Sequence, residues 1–199
     1  MSSVAGGCDF PARPDLSALA QEVLWSPLAD PAVLILTQSP EFLPSASTTE
    51  GVRSPVSRHS DEGVHTIHPG DGATQLLFLA DKVENKPLAA LIPLDTDILG
   101  RLEALSRFWR ALQGGPMPPD TRMTVQQRWR LRLMMRAADG RANGASYRDI
   151  AIALYGRERV ASDPWKTSAL RDAAISLVEG GTALIGGGYL KLLRHRRRA

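Results

Sequence analysis

Two stretches, Ser146-Tyr-Arg-Asp-Ile-Ala-Ile-Ala-Leu-Tyr-Gly156 and, after a short connection, Asp163-Pro-Trp-Lys-Thr-Ser-Ala-Leu-Arg-Asp-Ala-Ala-Ile-Ser-Leu-Val-Glu179, decide how this chain is read. In the first, Ser146 is an N-cap with Asp149 as its capping-box partner, Ile150, Ala151 and Leu154 fall on one buried face, and Gly156 is a stop. In the second, Asp163 caps, Pro164 takes the first helical position, Leu170, Ala174, Leu177 and Val178 line one face, and Gly180-Gly181 closes the helix. Helix, connection, helix is the plan of a helix-turn-helix, with the small Ala151 allowing a close crossing. The connection, Gly156–Ser162, is longer than the usual three or four residues. Many helical hairpins are purely structural, so spacing alone leaves the role of this one open.

Working outward, Ile98, Leu102, Leu105, Phe108, Trp109 and Leu112 recur at helical spacing behind Asp97 as N-cap and ahead of Gly114-Gly115. A further helix starts at Thr124, with Gln127 completing a capping box, and runs to Gly140 with Arg128, Arg130, Arg132 and Arg136 spread along it. Upstream, Val64–His68 and Thr74–Ala80 flank the turn Pro69-Gly-Asp-Gly72 as a hairpin, and Pro87–Leu94 reads as a third strand. Val33–Leu36 reads as another short strand, Leu16–Leu24 as two helical turns, and residues 37–63, rich in Ser, Thr, Pro and Gly, as a linker. The expected fold class is α+β: a C-terminal helical bundle with a helix-turn-helix, preceded by a small antiparallel β-sheet. The expected division is a poorly ordered 1–63, a sheet over 64–94 and a helical domain over 95–199.

Charge gives the bundle a direction. Residues 1–100 hold five Lys/Arg against thirteen Asp/Glu, a net of −8, whereas residues 101–199 hold nineteen against eight, a net of +11. A cationic half of this kind suggests a polyanionic partner, most often nucleic acid. Seventeen of the nineteen cations are arginine, whose planar fork suits phosphate and guanine. Arg171, with Ser168 beside it, lies on the expected outer face of the second helix, Lys166 and Thr167 at its amino end, and Arg157 and Arg159 in the connection before it. These residues, together with Tyr147, Arg148 and the basic tail Arg196, Arg197 and Arg198, form the candidate set for contact with double-stranded DNA. An arginine can read guanine in the major groove, while Ser, Thr and Lys more often position the backbone.

Several motifs, taken in order, carry a resemblance. They are Arg101-Leu-Glu-Ala-Leu-Ser-Arg-Phe-Trp-Arg-Ala-Leu112, Pro118-Pro-Asp-Thr-Arg122, Gly144-Ala-Ser-Tyr-Arg-Asp-Ile-Ala151, Trp165-Lys-Thr-Ser-Ala-Leu-Arg-Asp172 and Gly187-Gly-Tyr-Leu-Lys-Leu-Leu193. The stretch 88–194 that they span resembles the proteobacterial RovC-like DNA-binding domain family. Its members include a regulator of type VI secretion and activators and antiactivators of excision of integrative and conjugative elements. The resemblance implies a helix-turn-helix transcription factor, often multimeric. It does not supply base-contacting positions, so the candidate residues rest on helix geometry and charge alone. Trp165, Tyr147 and Tyr189 are prominent in the motifs and read mainly as residues that orient helices.

Other chemistries find little support in the sequence. The single cysteine, Cys8, precludes an internal disulfide framework. Met1–Cys8 lacks the basic and apolar segments of a secretory leader. The longest apolar runs, Leu76–Ala80 and Leu88–Leu94, fall far short of the roughly 20 residues of a membrane span. His65 and His68 sit three apart on a strand and point to opposite faces, and the glycine clusters lack the Lys-Ser/Thr pair of a phosphate loop. The expectation is a cytoplasmic, nucleoid-associated binding protein and not an enzyme, with no cofactor or metal. Double-stranded DNA, further copies of the chain and another transcription regulator are its expected partners. The alternatives are a protein-binding antiactivator and a recombination or excision accessory factor.

Overall fold

A computed structural model describes residues 16, 20–43, 52, 57–68, 74–79, 87–116 and 122–194. The chain forms two compact units, one of residues 1–119 with 193–199 and the other of residues 120–192. The first holds strands β1 (Leu34–Gln38), β2 (Ser57–Ser60), β3 (Gly63–Ile67), β4 (Gln75–Phe78) and β5 (Leu88–Leu91) and helix α1 (Ile98–Leu112). The second holds α2 (Val125–Ala142), α3 (Tyr147–Tyr155), α4 (Arg157–Ala161) and α5 (Ala169–Ile185), with single 3-10 turns at Trp165–Thr167 and Gly188–Leu192. The fold is α+β.

The sheet is mixed, not antiparallel as the sequence suggested, and its order is β2-β3-β4-β1-β5. The expected hairpin is present, with β3 antiparallel to β4 in the register Val64↔Phe78, His65↔Leu77, Thr66↔Leu76 and Ile67↔Gln75. β1 then inserts parallel to β4, pairing Leu34 with Leu76 and Leu36 with Phe78, and β5 closes the other side antiparallel to β1. β1 and β2 thus both come from the segment 1–63, which was expected to be poorly ordered with a single strand. β1 belongs in the middle because Val33, Leu34 and Leu36 are all at most 5% exposed, and burial of that kind requires neighbours on both sides. β2, Ser-Arg-His-Ser, escapes an apolar reading because it is an edge strand with alternately exposed side chains, and edges are commonly polar. Its residues lie within the segment read as a linker. Gln21–Leu24 are not helical. The Gln75 side chain holds this segment, accepting from the Trp25 N–H at 2.7 Å and donating to the Val23 carbonyl at 2.8 Å.

Helix α1 completes the first unit, with Ala104 and Phe108 joining Leu34, Leu36, Val52, Leu76 and Phe78 in one core. The unit boundary therefore falls after α1 and not before it. Asp97 makes no side-chain cap. Asp95 fixes the approach to the helix, accepting from the Asp97 N–H at 2.9 Å and from Arg101 Nη2 at 2.8 Å, and this cation holds the Asp95 carboxyl below its usual range.

His65 gives this unit a pH dependence. Its ring is 1% exposed and lies 2.9 Å from Ser60 Oγ and 3.5 Å from Glu62. Desolvation dominates and lowers its pKa below 6.5, against the opposing pull of Glu62 and a hydrogen bond to the Trp25 backbone. A lowered folded-state pKa means that the unfolded chain takes up the proton more readily. The contribution is therefore present above about pH 6.5 and lost as the pH falls through the lower, folded-state value. The melting temperature of the intact chain is expected to drop between neutral and mildly acidic pH, and His65→Gln should shrink that drop. An equal drop in the variant would show that the dependence lies elsewhere.

In the second unit, α2 and α3 begin at the two expected capping boxes, Thr124 with Gln127 and Ser146 with Asp149. Their core is Ala137, Ile150, Ala151, Val160, Ala174, Leu177 and Val178. Ala137, Ala151 and Ala174 are completely buried; three methyl-sized side chains at the centre let the helices approach closely. α2 passes through Gly140 and ends at Asn143, where Gly144 takes φ +84. Gly140 instead makes room for Ile150, since a Cβ there would lie 3.3 Å from Ile150 Cγ1.

α5 likewise runs through Gly180-Gly181 to Ile185. Those glycines face α2: a Cβ on Gly181 would stand 2.7 Å from the Met134 carbonyl oxygen and 2.9 Å from Ala138 Cβ. They serve contact between helices and not termination. Among the described residues, no helix is long and apolar enough to cross a membrane.

Candidate nucleic-acid interface

The connection between α3 and α5 is built and not slack. Gly156, at φ +90, ends α3 and starts α4 directly. Val160 is 2% exposed and anchors α4, which leaves Arg157 and Arg159 exposed on either side of it. Both arginines, expected in a loop, are thus presented by a helix. Pro164 adopts ψ 118 and so does not begin a helix. One 3-10 turn follows, with the Thr167 N–H donating to the Pro164 carbonyl at 3.1 Å, and α5 starts only after Ser168.

This placement corrects one candidate. Ser168 is 3% exposed, and its hydroxyl accepts from the Leu170 N–H at 3.2 Å. It is the N-cap of α5 and not a residue of its outer face. Lys166 and Thr167 are exposed on the turn just before that cap. The amino end of α5 therefore carries a lysine and a hydroxyl at the positive end of its helix dipole, a combination suited to phosphate.

The Arg171 side chain is 41% exposed and its Nη1 lies 3.3 Å from Asp172 Oδ1 on the same helix. α5 holds that one cation against Asp172 and Glu179, a net of −1. Its long outer face is consequently not cationic, and the positive charge near it comes from the segment that precedes it. Arg148 is exposed on α3 beside the capping box, and Ser146 holds the Asp149 carboxyl of that box below its usual range. Tyr147 is half-buried against the core, and the Arg141 guanidinium stands 5.0 Å from its ring centroid. One ring face is thus already taken. Trp165 is also half-buried against the core, in keeping with a residue that orients the turn. Arg196, Arg197 and Arg198 lie outside the described residues.

Sequence reasoning missed one set of cations. Arg128, Arg132 and Arg136 are all exposed on α2, and their spacing of four places them in one row along it. The spacing was visible in the sequence, but the interleaved Arg130 blurred it into a general scatter of charge.

A search among curated proteins finds no match to the chain. Residues 91–194, which include α1 and the whole bundle from α2 to α5, match the RovC DNA-binding domain, described as the DNA-binding domain of a type VI secretion system transcription factor. The chain belongs to that family and carries a DNA-binding domain of the transcription-factor type.

Proposed function

We propose that this protein is a helix-turn-helix transcription regulator that presents the amino end of α5 to the major groove of duplex DNA. The observation that carries the reading is the exposure of Lys166 and Thr167 immediately before the capped first turn of α5, with Arg157 and Arg159 exposed on α4 beside it. Arg171, one turn into α5, is the residue placed to read a base edge, and the others would hold phosphates. One such helix end covers few base pairs, so a dimer or larger assembly on repeated half-sites fits this geometry. The family description supports a type VI secretion system as the genetic setting; a mobile element is the alternative setting, and a DNA-binding role would place the protein at the nucleoid. The net charge of −1 on α5 is the observation that favours the second reading, an antiactivator that uses this helix to bind another regulator.

Selection of bound fragments by the intact chain from sheared genomic DNA tests the proposal. The expected result is a fragment set sharing one short motif. Arg171→Ala should bind the best fragment about 1–3 kcal/mol more weakly and accept changes at one base position. Recovery of no motif, or equal discrimination by the variant, would contradict it.

A further inference from the structure

The row Arg128, Arg132 and Arg136 lies on the side of α2 that is turned away from α5. α2 turns Met134, Ala137 and Ala138 inward, Met134 and Ala138 against Gly180 and Gly181 of α5. At 100° per residue the three arginines project from the opposite side. All three are exposed, and none of them makes an ion pair with a carboxylate among the described residues. Asp139 is the single acid on this helix, against five arginines when Arg130 and Arg141 are included. The first turn of α2 holds no acid, although acids there would favour the helix. Like charges four residues apart destabilise a helix, and this row contains two such pairs. The arrangement therefore works against the stability of α2 and suits an external anion.

We infer that the outer face of α2 is a second DNA-contacting surface, a phosphate track for duplex lying beyond the site that α5 reads. The inference rests on the DNA-binding reading above and adds to it where the backbone of the flanking duplex is held. Three features select the duplex backbone as the occupant. The charge is complementary, and the guanidinium forks pair bidentately with phosphate. The row spans eight residues, about 12 Å at 1.5 Å per residue, which is long enough to meet more than one phosphate along a strand. Trp129 lies beside the row and is 58% exposed, an aromatic body able to lie against sugar.

The test is a salt titration of the intact chain on a duplex that extends well beyond the selected motif. Wild type is compared with Arg128→Gln/Arg132→Gln/Arg136→Gln and with the corresponding triple lysine variant. The sites are exposed and Gln is a good helix former, so circular dichroism should match wild type in both variants, the lysine variant should melt with wild type, and the Gln variant, relieved of two like-charge pairs, should melt slightly higher and not lower. Each phosphate contact contributes about 0.9 to the slope of log affinity against log salt. The slope of the Gln variant should therefore be shallower by about 2–3, while the selected motif stays the same and the lysine variant keeps most of the slope. A Gln variant with the wild-type slope and affinity would overturn the inference and leave the α5 reading standing. The same slope accompanied by loss of self-association would also overturn it, making the row a protein contact. Failure of wild type to bind any duplex would overturn both.

Discussion

A chain shortened by residues 1–43 is expected to lose the sheet of its first unit altogether. The segment removed contains β1, which lies between β4 and β5 and bonds to both. Leu34 and Leu36, 5% and 3% exposed, would go with it. Full burial of a leucine contributes roughly 1.5–3 kcal/mol, and each ladder hydrogen bond about 0.5–1.5 kcal/mol net. Deletion would also bare Leu76 and Phe78, which are 0% and 1% exposed, and leave β5 without a partner among the described strands. The sum reaches the whole stability of an ordinary domain, about 5–15 kcal/mol. Hydrogen exchange on the shortened chain should find the amides of Leu76–Phe78 unprotected. Protection at wild-type level would mean that β1 is dispensable.

Gly181→Leu is the point change expected to harm the second unit most. In a free helix, replacing glycine by almost any residue is favourable by up to about 1 kcal/mol. Here the first added carbon already meets the Met134 carbonyl oxygen at 2.7 Å and Ala138 Cβ at 2.9 Å. The oxygen belongs to the backbone of α2 and cannot swing away as a side-chain end can. Overpacking of this kind costs about 1–3 kcal/mol and sometimes more, and a leucine adds three further carbons, so the net effect is a loss of about 3 kcal/mol. Chemical denaturation followed by fluorescence of Trp129 and Trp165 should report it. A neutral or stabilising result would show that α2 and α5 are not in contact at this point. Gly180 offers a comparison within the same helix. An added Cβ there meets Met134 Cε at 2.7 Å, the far end of a flexible side chain, so Gly180→Ala should be much milder.

These two cases also mark how far the sequence could be read. Thr124 with Gln127, and Ser146 with Asp149, start their helices as expected, because a capping box is decided within four residues. The β3–β4 hairpin was legible for the same reason. The place of β1 was not. Its partner β4 is 42 residues further along, Leu34 pairing with Leu76, and parallel to it, and nothing local fixes such a pairing. Gly180-Gly181 misled because a glycine pair can end a helix or admit a neighbour, and only Met134, far along the chain, decides between them.

At the candidate interface, the general region was legible from charge, but particular roles were not. Asp163-Pro164 is the stronger local start signal, yet Pro164 leaves the helical region, and Ser168 became the cap and left the set of exposed contacts. Arg157 and Arg159 stayed exposed but on α4. The arginines of α2 were seen but not resolved into a row, because the interleaved Arg130 hid the spacing of four.

If the cationic bundle grips the phosphate backbone of duplex DNA, as proposed, the affinity of the intact chain for duplex must fall as salt is raised. A steep linear fall of log affinity with log salt is expected, with a slope of several units at about 0.9 per phosphate held. A weak and salt-independent interaction, or none in dilute buffer, would contradict it.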